Sequence, residues 1–209
     1  MAKVKNFLTT KNQLRLILVF LLVGYIPLLT FVGLTYDIEN RTLSGIGWRY
    51  GGLKFLLVYL AYSVPLMIYQ VHLFLKLNNM KNKWIMLLSF IGGLLIIAGA
   101  LFPVRYDSPQ YSHKLHSYLC LLGSVLVVIA ITLMIAIYCK RNKGKAKRIF
   151  AISYAVILVG IMTGIAIIQM AALFELVATL MLLTVVFLLN VSSYKNWQMA
   201  NEQKGIECL

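Results

Sequence analysis

Residues 149–194 read IFAISYAVILVGIMTGIAIIQMAALFELVATLMLLTVVFLLNVSSY, a stretch with one acid and no base. As a single helix it would extend about 69 Å at about 1.5 Å per residue, more than twice the roughly 30 Å of a bilayer's hydrocarbon core. A segment this apolar belongs in lipid, and its length requires it to fold back once. Gln169 and Glu175, the polar residues near its middle, mark the expected turn, with no Gly or Pro between them to punctuate it.

The same measure applied outward divides the chain into six runs of spanning length. They are Leu16–Tyr36, Phe55–Leu75, Ile85–Val104, Ser117–Tyr138, Ile149–Met170 and Leu176–Tyr194. The predicted fold is therefore all-α, a single integral membrane domain over residues 1–209 built as a six-helix bundle. The composition agrees, since 61% hydrophobic and 12% charged residues leave too little polar surface to cover a water-soluble domain. The first run is too long for a cleaved signal and lacks a small-residue cleavage site, so it is read as a retained span.

The formal charge of +14 carries topology. Fifteen of the 20 Lys and Arg fall in the amino-terminal tail, the second and fourth connections and the carboxy-terminal tail. The other five are Arg41, Arg49, Lys54, Arg105 and Lys114, in the alternate connections. By the positive-inside rule the fifteen face the cytoplasm, and both termini with them. The basic residues are thereby accounted for without nucleic acid, and contact with anionic headgroups is their secondary consequence. No charged residue lies well inside a span, which argues against proton-coupled transport and voltage sensing. Cys120, Cys139 and Cys208 are scattered and form no disulfide framework.

Several features address packing. Gly160 and Gly164, and likewise Ser89 and Gly93, form small-xxx-small faces that allow close helix approach. Pro27 and Pro65 should free the carbonyls of Val23 and Ala61 and bend the first two spans. Tyr59, Tyr62, Ser63, Tyr69 and Gln70 recur at helical spacing in the second span. That stripe is expected to face inward, either lining a cavity or hydrogen bonding between helices.

The segment from Gly99 to Cys120 holds the densest chemistry. Ser108 and Pro109 read as N-cap and first residue of the fourth helix. His113, His116 and Cys120 then share a face, with Arg105 and Asp107 just ahead. This set admits three readings: a zinc site on His113, His116 and Cys120; an acid–base set of Asp107, His113 and His116 acting on a lipid; and interfacial histidines that bond water or headgroup phosphate. His72 belongs to the opposite end. In the first outer connection Asn40-Arg41-Thr42 is a glycosylation sequon, the glycines of Ser44–Gly52 favour turns, and Trp48 and Tyr50 suit the membrane interface.

The Ser44–Gly52 loop, the Gly99–Pro103 helix end and His116 at the start of a span together resemble the bacterial six-span membrane proteins of the domain of unknown function numbered 998. Those are distantly similar to eukaryotic lipid-remodelling and autophagy-modulating membrane proteins. The resemblance implies a compact six-helix bundle in a bacterial plasma membrane, with functional residues gathered on the outer side. It does not extend to His113 or Cys120.

Three function classes follow. The first is a non-enzymatic protein that binds or organises membrane lipid, a peptide or another membrane protein through its outer loops and inward polar face. The second is a lipid hydrolase or transferase using Asp107, His113 and His116, with or without zinc. The third is a channel or carrier lined by the kinked first two spans.

Overall fold

In the computed structural model the described residues are 2–38, 41–80, 83–142, 145–168 and 172–206, with side chains described over 10–38, 41–80, 83–142, 147–163 and 172–201. They form helices and connections with no strand. Helix α1 (Ala2–Val19) runs through a π-helical turn, Phe20–Tyr25, into α2 (Ile26–Thr35). Then come a short α3 (Leu43–Arg49), α4 (Leu53–Leu77), α5 (Lys83–Leu101), α6 (Gln110–Arg141), α7 (Lys145–Ile168) and α8 (Ala172–Ile206). Counting α1, the π turn and α2 as one rod gives seven helices among the described residues. Five are long and apolar enough to cross a membrane: Thr10–Thr35, Leu53–Leu77, Lys83–Leu101, Gln110–Arg141 and Ala172–Asn201. The run expected at 149–170 lies in α7, and its last residues, together with the turn at Gln169, fall outside the described side chains. Gly164, Asn40 of the sequon and Cys208 do so too.

Three expectations change in detail. Glu175 is in the first turn of α8, not in the turn before it; an acid there complements the helix dipole. Residues 43–49 are helical despite their glycines, because Thr42 caps the helix by accepting the Gly45 N–H at 3.0 Å. Gly47 then allows α3 to lie on α4, since a Cβ there would stand 2.7 Å from Leu56 Cδ2. Finally, the N-cap of α6 is Pro109 in place of Ser108, whose Oγ turns back to accept the Arg105 N–H at 3.0 Å.

Proline explains the π turn. Pro27 has no N–H to offer Val23, so the ladder is already open there. Tyr62 of α4 uses the opening: its hydroxyl donates to the Phe20 carbonyl, and its ring lies over Gly24, where a Cβ would collide with it. Pro65 sits inside α4, which stays helical across all 25 residues.

The helices pack by small residues and a few hydrogen bonds, as expected where lipid removes the hydrophobic drive between helices. The tightest pair is α5 with α6. A Cβ on Gly123 would stand 2.6 Å from the Gly92 carbonyl oxygen and 2.9 Å from the Ile96 nitrogen, so the two backbones touch. Gly93 turns to α4 and meets Val64. Helices α4 and α8 run parallel, joined by Tyr59 to Thr179 at 2.7 Å and by the Asn190 Nδ2 donating to the Gln70 carbonyl at 3.0 Å. Helix α7 is anchored by Tyr154, whose hydroxyl reaches Thr132 Oγ1 at 2.7 Å and the Val128 carbonyl at 3.1 Å. Its Ile149, Ile152, Val156 and Val159 make an exposed apolar stripe at helical spacing, each 63–65% accessible. A Cβ on Gly160 would meet nothing within 4 Å.

The bundle has two unlike ends. One carries Arg41, Arg49, Lys54, Arg105, Lys114 and both His113 and His116, at the start of α4 and α6 and the end of α5. The other carries Lys76, Lys83, Lys140, Arg141, Lys147, Arg148 and Lys195, with an exposed His72 near by. They are called the histidine end and the lysine end below.

Candidate functional site

The histidine end is organised by one problem, the carboxy-terminal end of α5. The last four carbonyls of any helix lack intrahelical partners, and beside lipid an unpaired carbonyl is costly. Here five of the seven carbonyls from Gly99 to Arg105 receive a side chain from elsewhere. The Gly99 carbonyl accepts from His116 Nδ1 at 2.8 Å as well as from the Phe102 N–H at 3.0 Å. Trp48 Nε1 donates to Ala100 at 3.0 Å, Ser112 Oγ to Pro103 at 2.7 Å and Arg49 Nε to Val104 at 2.6 Å. His113 Nε2 donates to Arg105 at 3.1 Å.

A carbonyl only accepts, so these contacts fix the tautomers of neutral imidazoles: the proton is on Nδ1 of His116 and on Nε2 of His113. The two rings that the sequence offers as ligands or catalysts thus hold the α5–α6 hairpin closed. Gly99 makes the closure geometrically feasible, since a Cβ there would stand 2.6 Å from Cys120 Sγ and 3.0 Å from Cys120 N. Cys120 in turn faces α5, with its thiol 3.9 Å from the Ile96 carbonyl. Cys120 and Cys139 are free thiols. Among the described residues no three His, Cys, Asp or Glu side chains gather in a way that could hold a metal ion.

Outside this capping layer lies a second one, made of arginines on aromatic rings. The Arg41 guanidinium is 3.6 Å above the Tyr50 ring, Arg49 is 4.5 Å from Tyr106 and Arg105 is 5.6 Å from Trp48. A guanidinium held over a ring can still turn edge N–H groups to an anion, although Arg49 already gives its Nε–H to the Val104 carbonyl. Tyr50 and Tyr106 join the two sides through their hydroxyls at 3.0 Å. That shared bond lowers the Tyr106 pKa below the ordinary phenol value and raises that of Tyr50, because Tyr50 donates to the Tyr106 phenolate. Arg49 beside Tyr106 lowers it further. An open cleft of about 340 Å³ lies among Trp48, Pro103, Arg105, Asp107, Ser108 and Pro109.

The stripe on α4 divides by depth. Tyr59, Ser63 and Gln70 are buried, Tyr62 turns to the π turn Phe20–Tyr25, and Tyr69 is 38% exposed and leaves the inward face. Near the histidine end Tyr25 donates to the Leu176 carbonyl at 3.2 Å and Tyr59 meets Thr179. These contacts tie the first rod and α4 to the start of α8. The loop after α2 finishes the seal, as the Ala172 and Leu173 N–H groups donate to the carbonyls of Arg41 at 2.6 Å and Ile38 at 3.0 Å.

Sequence reasoning overlooked Trp48 and Arg49 as caps, Ser112 as a third, and Asn190 as a buried partner of α4. For Asn190 a signal was present: a lone carboxamide after the apolar run Leu180–Leu189, which in lipid demands a partner. The caps have no comparable signature, because they act on carbonyls that only the fold brings near. No family model, curated protein or solved structure matches the chain.

Proposed function

We propose that the chain is a six-span membrane protein with its lysine end and both termini in the cytoplasm, and that its outer, histidine end binds phospholipid headgroups. The single observation that carries this reading is the layer of three arginines held over Tyr50, Tyr106 and Trp48, of which the Arg105–Trp48 pair lines the open cleft. Guanidinium groups pair with phosphate through parallel N–H bonds, and Trp and Tyr sit naturally at headgroup depth. The cleft also holds Asp107 beside Arg105, so it offers an anion site and a cation site together. A headgroup carrying a phosphate and an ammonium group matches that pair, with the phosphate on Arg105 and the ammonium on Asp107. The volume is in the range of small-ligand sites.

The sixth crossing in this reading is α7, supported by its length and lipid-facing stripe. A compact six-helix bundle of this kind is also what the resemblance to the bacterial six-span proteins implies. The hydrolase reading gains no comparable support, since one nitrogen of each histidine is engaged in capping.

Native mass spectrometry of the detergent-released protein tests the proposal. Wild type should retain both phosphatidylethanolamine and phosphatidylglycerol, and Arg105→Gln should lose both. Asp107→Asn should lose preference for phosphatidylethanolamine only. Equal retention of both lipids by all three proteins would remove the proposal.

A further inference from the structure

At the lysine end a second open cleft, of about 530 Å³, lies among Met80, Ile137, Lys140 and Arg141. Its frame is the turn between α4 and α5. Asn78 closes α4, its Nδ2 donating to the Phe74 carbonyl at 2.9 Å and to Ser193 Oγ of α8 at 3.1 Å. Asn79 takes the left-handed conformation that asparagine tolerates, at φ 48°, and the Met80 N–H then returns to the Leu75 carbonyl at 2.9 Å. Arg141, in the last turn of α6, donates from Nη1 to the Asn78 carbonyl, so its guanidinium is held against this turn. Ile137 lies one turn behind Lys140 and Arg141 and makes, with Met80, an apolar floor beneath two cations.

Charge and donor count select the occupant. Among the described side chains the acids are Asp37, Asp107 and Glu175, and all three belong to the histidine end. An ammonium group brought to Lys140 and Arg141 therefore meets only like charge. Lysine offers three N–H donors, and the arginine keeps four of its five after the bond to Asn78. A phosphodiester has two free oxygens to receive them, whereas a phosphomonoester has three and carries close to two negative charges at neutral pH, matching the two cations.

The surroundings distinguish a lipid phosphate from a soluble one. Leu122, Ile129 and Leu133 are all exposed and fall on one line of α6, which Lys140 continues. On α5, Leu87, Ile91 and Leu94 make a second exposed line. A soluble phosphate makes no use of these apolar tracks, and two acyl chains do.

We propose that this cleft binds the phosphomonoester headgroup of phosphatidic acid, with the phosphate between Lys140 and Arg141 and the acyl chains along the exposed faces of α5 and α6. The site rests on the bundle crossing a bilayer. It is separate from the outer cleft, where Asp107 suits an ammonium that the lysine end repels.

Phosphatidic acid titrated onto the detergent-purified protein and read by native mass spectrometry tests the site. Every protein compared carries Arg105→Gln, which disables the outer cleft whether or not it takes headgroups, so the two proposals fail separately. One basic residue beside a membrane phosphate is worth about fivefold in affinity. Lys140→Gln should therefore weaken binding about fivefold, and Lys140→Gln with Arg141→Gln about thirtyfold. Arg148→Gln on α7 is the control. Cys139, whose thiol is 3.4 Å from the Lys147 carbonyl, lies about 160° around α6 from Ile137, so the start of α7 is on the far side of α6 from the cleft. That change should leave the affinity within about twofold, because the charge it removes is screened from the site. Phosphatidylglycerol and phosphatidylethanolamine should bind about fivefold or more weakly than phosphatidic acid, and an equal concentration of glycerol 3-phosphate should not displace it. Absence of binding, equal losses in Lys140→Gln and Arg148→Gln, phosphatidylglycerol bound as tightly, or displacement by glycerol 3-phosphate would each overturn the proposal. Should the double variant not fold, for want of the donor to Asn78, Lys140→Gln decides alone, since that side chain is exposed.

Discussion

Replacing Gly123 by alanine probes the closest helix contact in the molecule. The added methyl would stand 2.6 Å from the Gly92 carbonyl oxygen, 2.8 Å from Ile96 Cγ1 and 2.9 Å from the Ile96 nitrogen. Two of these three neighbours are backbone atoms, so no rotamer change relieves the overlap, and α5 and α6 must separate by several tenths of an ångström. Overpacking of this kind costs about 1–3 kcal/mol. In a chain of about 200 residues each kilocalorie moves the midpoint by about 2–4 °C, so Gly123→Ala should lower it by about 2–12 °C. The separation also loosens the His116 bond to Gly99, which lies on the same seam. Gly160→Ala is the control: a methyl there meets nothing within 4 Å, and alanine is the better helix former by about 0.5–1 kcal/mol. The assay is the fraction of detergent-purified protein that stays monodisperse after heating. Equal midpoints for Gly123→Ala and Gly160→Ala would refute the backbone-to-backbone packing of α5 on α6.

Two further outcomes concern the histidine end and a third the first rod. His116→Ala leaves the Gly99 carbonyl without its side-chain donor and should lower stability by about 1–3 kcal/mol in the same heating assay; His113→Ala, whose bond is more exposed, should lower it less. In an ultraviolet titration Tyr106 should ionise first, below the ordinary phenol range, and Tyr50→Phe should move that first step upward by removing its hydrogen-bond donor. The sign for stability follows: Tyr106, with a lowered pKa in the folded state, contributes stability above its unfolded pKa that is lost as pH falls through its folded pKa. Tyr50, with a raised pKa, contributes stability below its unfolded pKa that is lost as pH rises through its folded pKa. Tyr62→Phe removes the donor to the Phe20 carbonyl beside the Pro27 break and should destabilise the first rod, read as faster amide exchange between residues 19 and 25.

Hydrophobic length made the spans legible. The rods at Thr10–Thr35, Leu53–Leu77, Lys83–Leu101, Gln110–Arg141 and Ala172–Asn201 each contain or overlap an apolar run read from the sequence, because lipid leaves the backbone no alternative to helix. One end was legible to within a residue: α6 begins at Gln110, before the apolar run at Ser117, as the Ser108-Pro109 signal implied, and Gln110–His116 carry the side chains that cap α5. The run at 43–49 misled through its glycines, which serve close contact with Leu56 and Thr42 and not a change of direction. The histidines were located correctly as a feature of the α5–α6 connection. Their bonds to Gly99 and Arg105 were not foreseeable, because a backbone carbonyl carries no residue-specific mark in sequence. Conversely Arg41 and Arg49 were counted only as charges, and Arg105 was singled out beside the histidines without its ring, because the rings come from two different connections.

The headgroup proposal is tested most directly by electron paramagnetic resonance of spin-labelled lipids around the reconstituted protein. Wild type should hold a motionally restricted phosphatidylethanolamine population in excess over diacylglycerol, which lacks the phosphate, and Arg41→Gln with Arg105→Gln should abolish the excess. The same restricted fraction for both lipids in wild type, or an excess unchanged in the double variant, would contradict it.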